Sequence, residues 1–199
     1  MTIDAHADVR RMIDDCDRWA LGGRALTHIV LVAEALGTDP DFVEFMTPVC
    51  KYLCTEAGIR AADTAIQVMG GYGYLTEYGA AQNWRDARIT SIYEGTNGIH
   101  ARMTATRGIT LNGGAGARAF ARFLCDSGLG AEAEHWEREA EAMRAAPDPA
   151  AAHGFMERLC DLAFHAALAR IRAVAAASPE RERLLRLTDA TRAREPALA

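Results

Sequence analysis

The 199-residue chain is 50% hydrophobic and carries 22 Lys+Arg against 27 Asp+Glu, for a formal net charge of -5. That is enough apolar material for a real core, and the arginines are interspersed with acids rather than gathered into a basic stripe, which excludes an electrostatic footprint for nucleic acid. Cys16, Cys50, Cys54, Cys125 and Cys160 form an odd set with no C-x-x-C pair. The opening Thr2-Ile3-Asp4 has no basic or apolar leader character, so a cytoplasmic location without a secretory signal is expected. No apolar run approaches the ~20 residues that a membrane span requires.

Residues 5 to 36 place Val9, Met12, Ile13, Cys16, Leu26, Ile29 and Val30 at helical spacing and predict one long helix. Within it, Gly22-Gly23 either kinks the helix or admits a close neighbour. Asp39 and Pro40 supply an N-cap and a first helical residue for a second helix running to about Met69, which Pro48 and Gly58 are expected to bend or divide. Short helices are predicted at about 80–88 and 97–109, and the stretch Asn112 to Gly116 is a natural boundary. Beyond it, helices are expected near 117–125, 131–145, 150–177 and 180–192, with a frayed alanine-rich tail from Ala193. The expected fold is all-α: an antiparallel helical bundle over 1–112 with an additional C-terminal helical segment over 113–199.

The chemistry concentrates between Gln67 and Gly98. Gly70-Gly71-Tyr72-Gly73 exposes backbone amides that suit a phosphate or an adenine-bearing group, or else it is an ordinary helix terminus. Glu94, between Tyr93 and Gly95, is either a solvated loop carboxylate or a general base. Thr96 or Asn97 is positioned to cap the following helix. Arg85, Asp86 and Arg88 read as a local ion-pair network, and Cys50 and Cys54, one turn apart, as buried free thiols. The six histidines are scattered and complete no metal site. Trp19, Trp84 and Trp136 read as core or interface anchors.

Taken in order, Met46-Thr47-Pro48, Ala65-Ile66-Gln67-Val68-Met69-Gly70-Gly71, Arg85-Asp86-Ala87-Arg88-Ile89 and Ile92-Tyr93-Glu94-Gly95-Thr96-Asn97-Gly98-Ile99 resemble the C-terminal helical domain of the acyl-CoA dehydrogenases. The resemblance runs from His6 to about Gly114, and the remaining residues more loosely resemble the helical extension of the family's long-tailed branch. It implies FAD-dependent α,β-dehydrogenation of an acyl-CoA thioester, with Glu94 as the catalytic base and its backbone N–H helping to polarise the thioester carbonyl. By the same resemblance Gln67, Gly70 and Gly71 reach a partner subunit's FAD, and Thr96, Asn97 and Gly98 touch the flavin dinucleotide of their own subunit. Tyr93 and Gly95 then lie on the substrate side. An electron-transfer flavoprotein is the implied electron acceptor, and a homo-oligomer or a partner subunit the implied assembly.

His100 departs from the family pattern, standing where a glutamine usually follows the Gly-Ile pair. The family's N-terminal helical domain, its middle β-domain and the arginine that grips the FAD pyrophosphate have no counterpart in residues 1–199. Half a flavin site is therefore expected. Two readings stay open: one part of a dehydrogenase that works when the other domains are supplied, or a non-catalytic helical module for binding or assembly.

Overall fold

A computed structural model describes residues 2–189, and among them there are helices and turns but no strand. Helix α1 spans Ala7–Leu36 and helix α2 spans Pro40–Met69. Gly37, at φ 62°, closes α1 with its amide on the carbonyls of Ala33 and Glu34, a left-handed C-terminal turn that glycine adopts without steric cost. Asp39 then caps α2 by accepting from the Phe42 amide at 3.0 Å, with Pro40 at the first helical position. The two helices are antiparallel: Cys16 Sγ approaches the Ala61 carbonyl while, further along, Cys54 Sγ approaches that of Gly23.

Helix α2 runs unbroken through Pro48 and Gly58, so neither residue divides it. Gly22-Gly23 likewise does not interrupt α1, and these glycines serve close packing. A Cβ on Gly22 would lie 2.2 Å from the ring of Phe164, and one on Gly23 would lie 3.4 Å from Cys54 Sγ.

Three short helices follow, α3 at Gly71–Tyr74, α4 at Ala80–Arg88 and α5 at Asn97–Met103. The predicted helix at 97–109 gives way at Thr104–Gly108 to a π-helical turn. Helix α6 (Ala115–Asp126), α7 (Gly130–Ala145), α8 (Ala152–Val174) and α9 (Arg181–Leu187) complete the described fold. Of the last predicted helix, residues 181–187 are helical, and its end, together with the tail from Ala193, lies outside the described residues.

The stretches on either side of Asn112–Gly116 share one hydrophobic core. Trp136 is fully buried and donates from Nε1 to the Ala117 carbonyl at 2.9 Å. Phe45 of α2, Phe120 of α6 and Phe155 of α8 surround its ring at centroid distances of 6.1, 5.1 and 5.3 Å, a cluster whose edge-to-face members add to plain burial. Helix α9 is held by arginines at its C-terminal carbonyls. Arg18 donates to Leu187 O, Arg172 donates to Leu185 O and Thr188 O, and Arg186 pairs with Asp14.

By length and composition alone helix α1 is long and apolar enough to cross a membrane, a test that the core helix of a globular protein passes as well, and Arg18, Arg24 and Glu34 interrupt its apolar residues. Its Gly22, Gly23, Leu26 and Val30 are buried, while Leu31, Val32 and Leu36 are exposed at its C-terminal end.

Within the π-helical turn, Thr104 is 1% exposed, and its hydroxyl has no hydrogen-bond partner among the described residues. A buried hydroxyl in that condition costs roughly 1–3 kcal/mol of desolvation. Thr104→Val, of nearly the same shape, is therefore expected to leave the urea midpoint unchanged or to raise it by up to about 1 kcal/mol equivalent. A clear loss of stability would show that the hydroxyl has a partner.

Candidate active site

The turn carrying Glu94 is built from short-range constraints at both ends. After α4, residues Ile89–Ser91 form a 3-10 turn, and the Tyr93 amide donates back to the Ile89 carbonyl at 3.2 Å. On the other side Thr96 adopts an extended conformation and its hydroxyl accepts from the Ile99 amide at 3.2 Å, so Thr96 rather than Asn97 caps α5. Between them the chain makes two consecutive left-handed residues, Glu94 at φ 57° and Gly95 at φ 86°. Glycine accepts that conformation, whereas a glutamate holds it only against a steric cost of about 1–2 kcal/mol. A Cβ on Gly95 would also lie 3.0 Å from His100 Nε2.

Side-chain donors fix the carbonyls of this corner. His100 Nε2 lies 3.1 Å from Glu94 O, and since a carbonyl only accepts, the ring must carry its proton on Nε2. The Lys51 ammonium, from the middle of α2, donates to Gly95 O at 2.9 Å and to Asn97 Oδ1 at 2.6 Å. Asn97 Nδ2 in turn donates to Glu56 Oε1 at 2.6 Å and to Thr55 Oγ1 at 2.9 Å. Burial pushes the Lys51 ammonium below the usual lysine range, opposed by the nearby Glu56 carboxylate.

Asn97 is buried, and its amide is spent inside the chain, so any contact it makes with a dinucleotide falls to its backbone. The carboxylate-bearing residue Glu94 is exposed, as are Thr96 and Gly98, while Gly95 is half-buried. Tyr93 is 53% exposed.

In the Gln67–Gly73 corner Gln67, Gly70 and Gly71 are exposed, and among the described residues no hydrogen bond or ring contact joins this corner to the Glu94 turn. Gly70 ends α2 at φ 60°, ψ −142°, a backbone state open to glycine alone. Gly73 folds back so closely that a Cβ would lie 2.6 Å from Ile66 O. At Gly71 a Cβ would meet nothing, so this glycine is not required by packing. Around the corner Tyr72, Tyr74 and Tyr78 are exposed, with Tyr72 and Tyr78 in edge-to-face contact at 5.1 Å.

A cleft of about 400 Å³ opens behind His100, between α2 and the π-helical turn, with Phe45, Pro48, Met103 and Leu111 among its apolar walls. Thr104, with its unpaired hydroxyl, also lines it.

The expected ion-pair network at Arg85, Asp86 and Arg88 does not form. Gln82 bridges Arg85 and Asp86 by accepting from the first and donating to the second, and Arg88 donates to Ser91 Oγ. The reason is spacing: Gln82 lies three residues before Arg85 and four before Asp86, on the same helical face as both. Cys50 is half-buried, and burial pushes its thiol up to about 12. Cys54 is exposed rather than buried, beside Thr27. Both thiols are free. Trp136 is the core anchor expected of it, Trp19 is partly buried and packs against the same core, and Trp19 and Trp84 together line a shallow depression.

Sequence reasoning missed Lys51, Thr55 and Glu56. The available signal was a lysine placed between Val49, Tyr52 and Leu53 on a core-facing helix, followed by a hydroxyl at i+4.

The profile described as "Acyl-CoA dehydrogenase, C-terminal domain" matches residues 2–109, more than half of the chain and all of the Glu94 turn. The chain belongs to the acyl-CoA dehydrogenase family. It is 38% identical over 128 residues to 3-methylmercaptopropionyl-CoA dehydrogenase of Ruegeria pomeroyi, covering 60% of this chain and 22% of that protein. It is 32% identical over 119 residues to butyryl-CoA dehydrogenase of Syntrophomonas wolfei, covering 55% and 20%. With the human mitochondrial short-chain specific acyl-CoA dehydrogenase it shares 47% identity over 55 residues, 28% of this chain and 13% of that one. The chain thus matches roughly a fifth or less of the length of these acyl-CoA dehydrogenases.

Proposed function

We propose that this chain is the C-terminal part of an FAD-dependent acyl-CoA dehydrogenase, which acts on an acyl-CoA thioester when the N-terminal and middle domains are supplied. The observation that carries the proposal is the Glu94 turn: an exposed carboxylate on a strained left-handed residue, pinned through its carbonyl and its neighbour's by His100 and Lys51. Strain of this kind persists where surrounding structure over-determines it, and it clusters at functional sites.

In this reading the Glu94 carboxylate takes the α-proton of the thioester, and its backbone N–H faces the carbonyl oxygen on which charge develops. Tyr93 and Gly95 border the acyl chain. FAD, when bound, supplies the acceptor for the β-hydrogen, which leaves with its electron pair as the α,β double bond forms.

The residues present fit half of such a site. Gly70 and Gly71 have open space where a Cβ would stand, which lets a dinucleotide approach their backbone, and Gln67 is exposed beside them. On the other side Thr96 and Gly98 are exposed, while Asn97 is turned inward and His100 is engaged with Glu94 O. The exposed Tyr72, Tyr74, Leu75, Ile92 and Tyr93 supply the apolar area that further domains or a second subunit would cover. An electron-transfer flavoprotein would reoxidise the assembled enzyme.

The isolated chain is expected to elute colourless from a desalting column after incubation with FAD. Retention of one FAD per chain would contradict the half-site.

A further inference from the structure

We propose that Lys51 is the positioning residue of the Glu94 turn, holding the corner in the conformation from which the carboxylate acts. This rests on the reading of Glu94 as the base, but the geometry that supports it is independent of any chemistry.

Two left-handed residues in succession, one of them a glutamate, do not hold themselves. Their own backbone gives little help. Backbone bonds bracket the corner, from Tyr93 to Ile89 O and from His100 to Thr96 O, and none is donated by the amides of residues 94 to 98. What secures the corner is the pair of carbonyls at its centre. Glu94 O takes the His100 ring from within the same segment, so that contact moves with the turn. Gly95 O takes Lys51, which stands on a 30-residue helix buried along one face, so that contact ties the turn to the frame of the protein.

The ammonium does more than close one bond. It also donates to Asn97 Oδ1 and therefore spans the corner from Gly95 to the first residue of α5. Asn97 is held from its other end by Glu56 and Thr55, so its amide is oriented and cannot flip. Lys51 and Thr55 are four residues apart, on one face of α2, with Glu56 adjacent. The result is a chain of charge-assisted bonds running from Glu56 through Asn97 and Lys51 to the backbone that carries Glu94. A compact ammonium with three donors suits this role, because its two acceptors converge on one point. A base must reach its proton within hydrogen-bond distance, and a displacement near 1 Å costs about 100-fold in rate.

The test uses the full chain, labelled for NMR, in wild-type, Lys51→Met and Lys51→Gln forms. In the Met variant the heteronuclear NOEs of the Glu94 and Gly95 amides are expected to drop to those of a mobile loop, while α1 and α2 signals and the melting temperature stay close to wild type. The Gln variant retains a donor and is expected to restore part of the order. Should the Met variant not fold, the Gln variant decides: intermediate order supports the proposal. Wild-type order at Glu94 and Gly95 in a folded Met variant, or in the Gln variant when the Met variant does not fold, would overturn it.

In a complex with the N-terminal and middle domains, Lys51→Met is expected to lower kcat by roughly 10–100-fold with KM nearly unchanged, and a fall confined to KM would contradict a positioning role. The two readings separate cleanly. If Glu94→Gln leaves the rate intact while Lys51→Met loosens the turn, the base assignment fails and the clamp stands. If Glu94→Gln abolishes the rate while Lys51→Met changes neither order nor kcat, the clamp fails.

Discussion

Glu94→Gln, in a complex that supplies the N-terminal and middle domains, is expected to slow substrate-dependent reduction of the flavin by about 10²–10⁴-fold, the usual worth of a positioned proton acceptor. FAD content should not change. Glutamine has nearly the shape of glutamate and keeps a hydrogen-bond acceptor, but at neutral pH it cannot take a proton. Residue 94 is exposed, and its contact with His100 is made by the backbone carbonyl rather than the carboxylate. The substitution should therefore leave stability within about 0.5 kcal/mol of wild type. A combination of unchanged melting temperature, unchanged flavin and lost reduction isolates the carboxylate as the proton acceptor. Retained reduction would remove Glu94 from that role.

The second large effect concerns the frame rather than the turn. Gly22→Ala should destabilise the chain by about 1–3 kcal/mol, because the added methyl would stand 2.2 Å from Cε2 and 2.6 Å from Cδ2 of Phe164. Phe164 is 1% exposed in α8 and belongs to the shared core, so its ring has little freedom to withdraw. For a chain of this size the loss corresponds to a fall of roughly 2–4 °C in Tm per kcal/mol. Phe164→Leu alone should also destabilise, by creating a cavity, but combined with Gly22→Ala it should lose less than the sum of the two, since each substitution relieves the other. Strict additivity would show that the two residues are not in contact. The consequence reaches beyond stability: α8 lies in the C-terminal stretch, and this contact fastens it to the helix pair that carries Lys51.

How far the sequence reaches is best seen residue by residue. The capping pair Asp39-Pro40 was legible because caps depend on neighbours in sequence. For the same reason Thr96 and the glycines of the corner after α2 were found. Pro48 does not divide α2, a helix held by side chains distant in sequence, Phe120 and Trp136 among those touching Phe45. Gly22-Gly23 could be read only as a pair of alternatives until the partner was known, and that partner, Phe164, lies more than a hundred residues away.

The candidate site shows the same division. Glu94 announces itself by its motif, whereas Lys51, Thr55 and Glu56 act on it from a different helix, and nothing local in their sequence points to residue 97. Asn97 is instructive in the other direction. The resemblance implies a place for it beside the dinucleotide, whereas its side chain is buried and bonded to Lys51, Thr55 and Glu56. The arginines at 85 and 88 were expected to pair with Asp86, but Gln82 takes up Arg85 and Asp86, and Arg88 donates to Ser91 instead.

The central claim is that this chain contributes the base and half of the cofactor contacts, and that the remainder of such an enzyme contributes the rest. It is tested most directly by anaerobic mixing of acyl-CoAs of short, medium and long chain with three samples. These are the chain with free FAD, the N-terminal and middle domains with FAD, and all parts assembled. Loss of the flavin's visible absorbance is predicted in the assembled sample alone. Bleaching by the isolated chain, or none in an assembled sample that retains FAD, would contradict it.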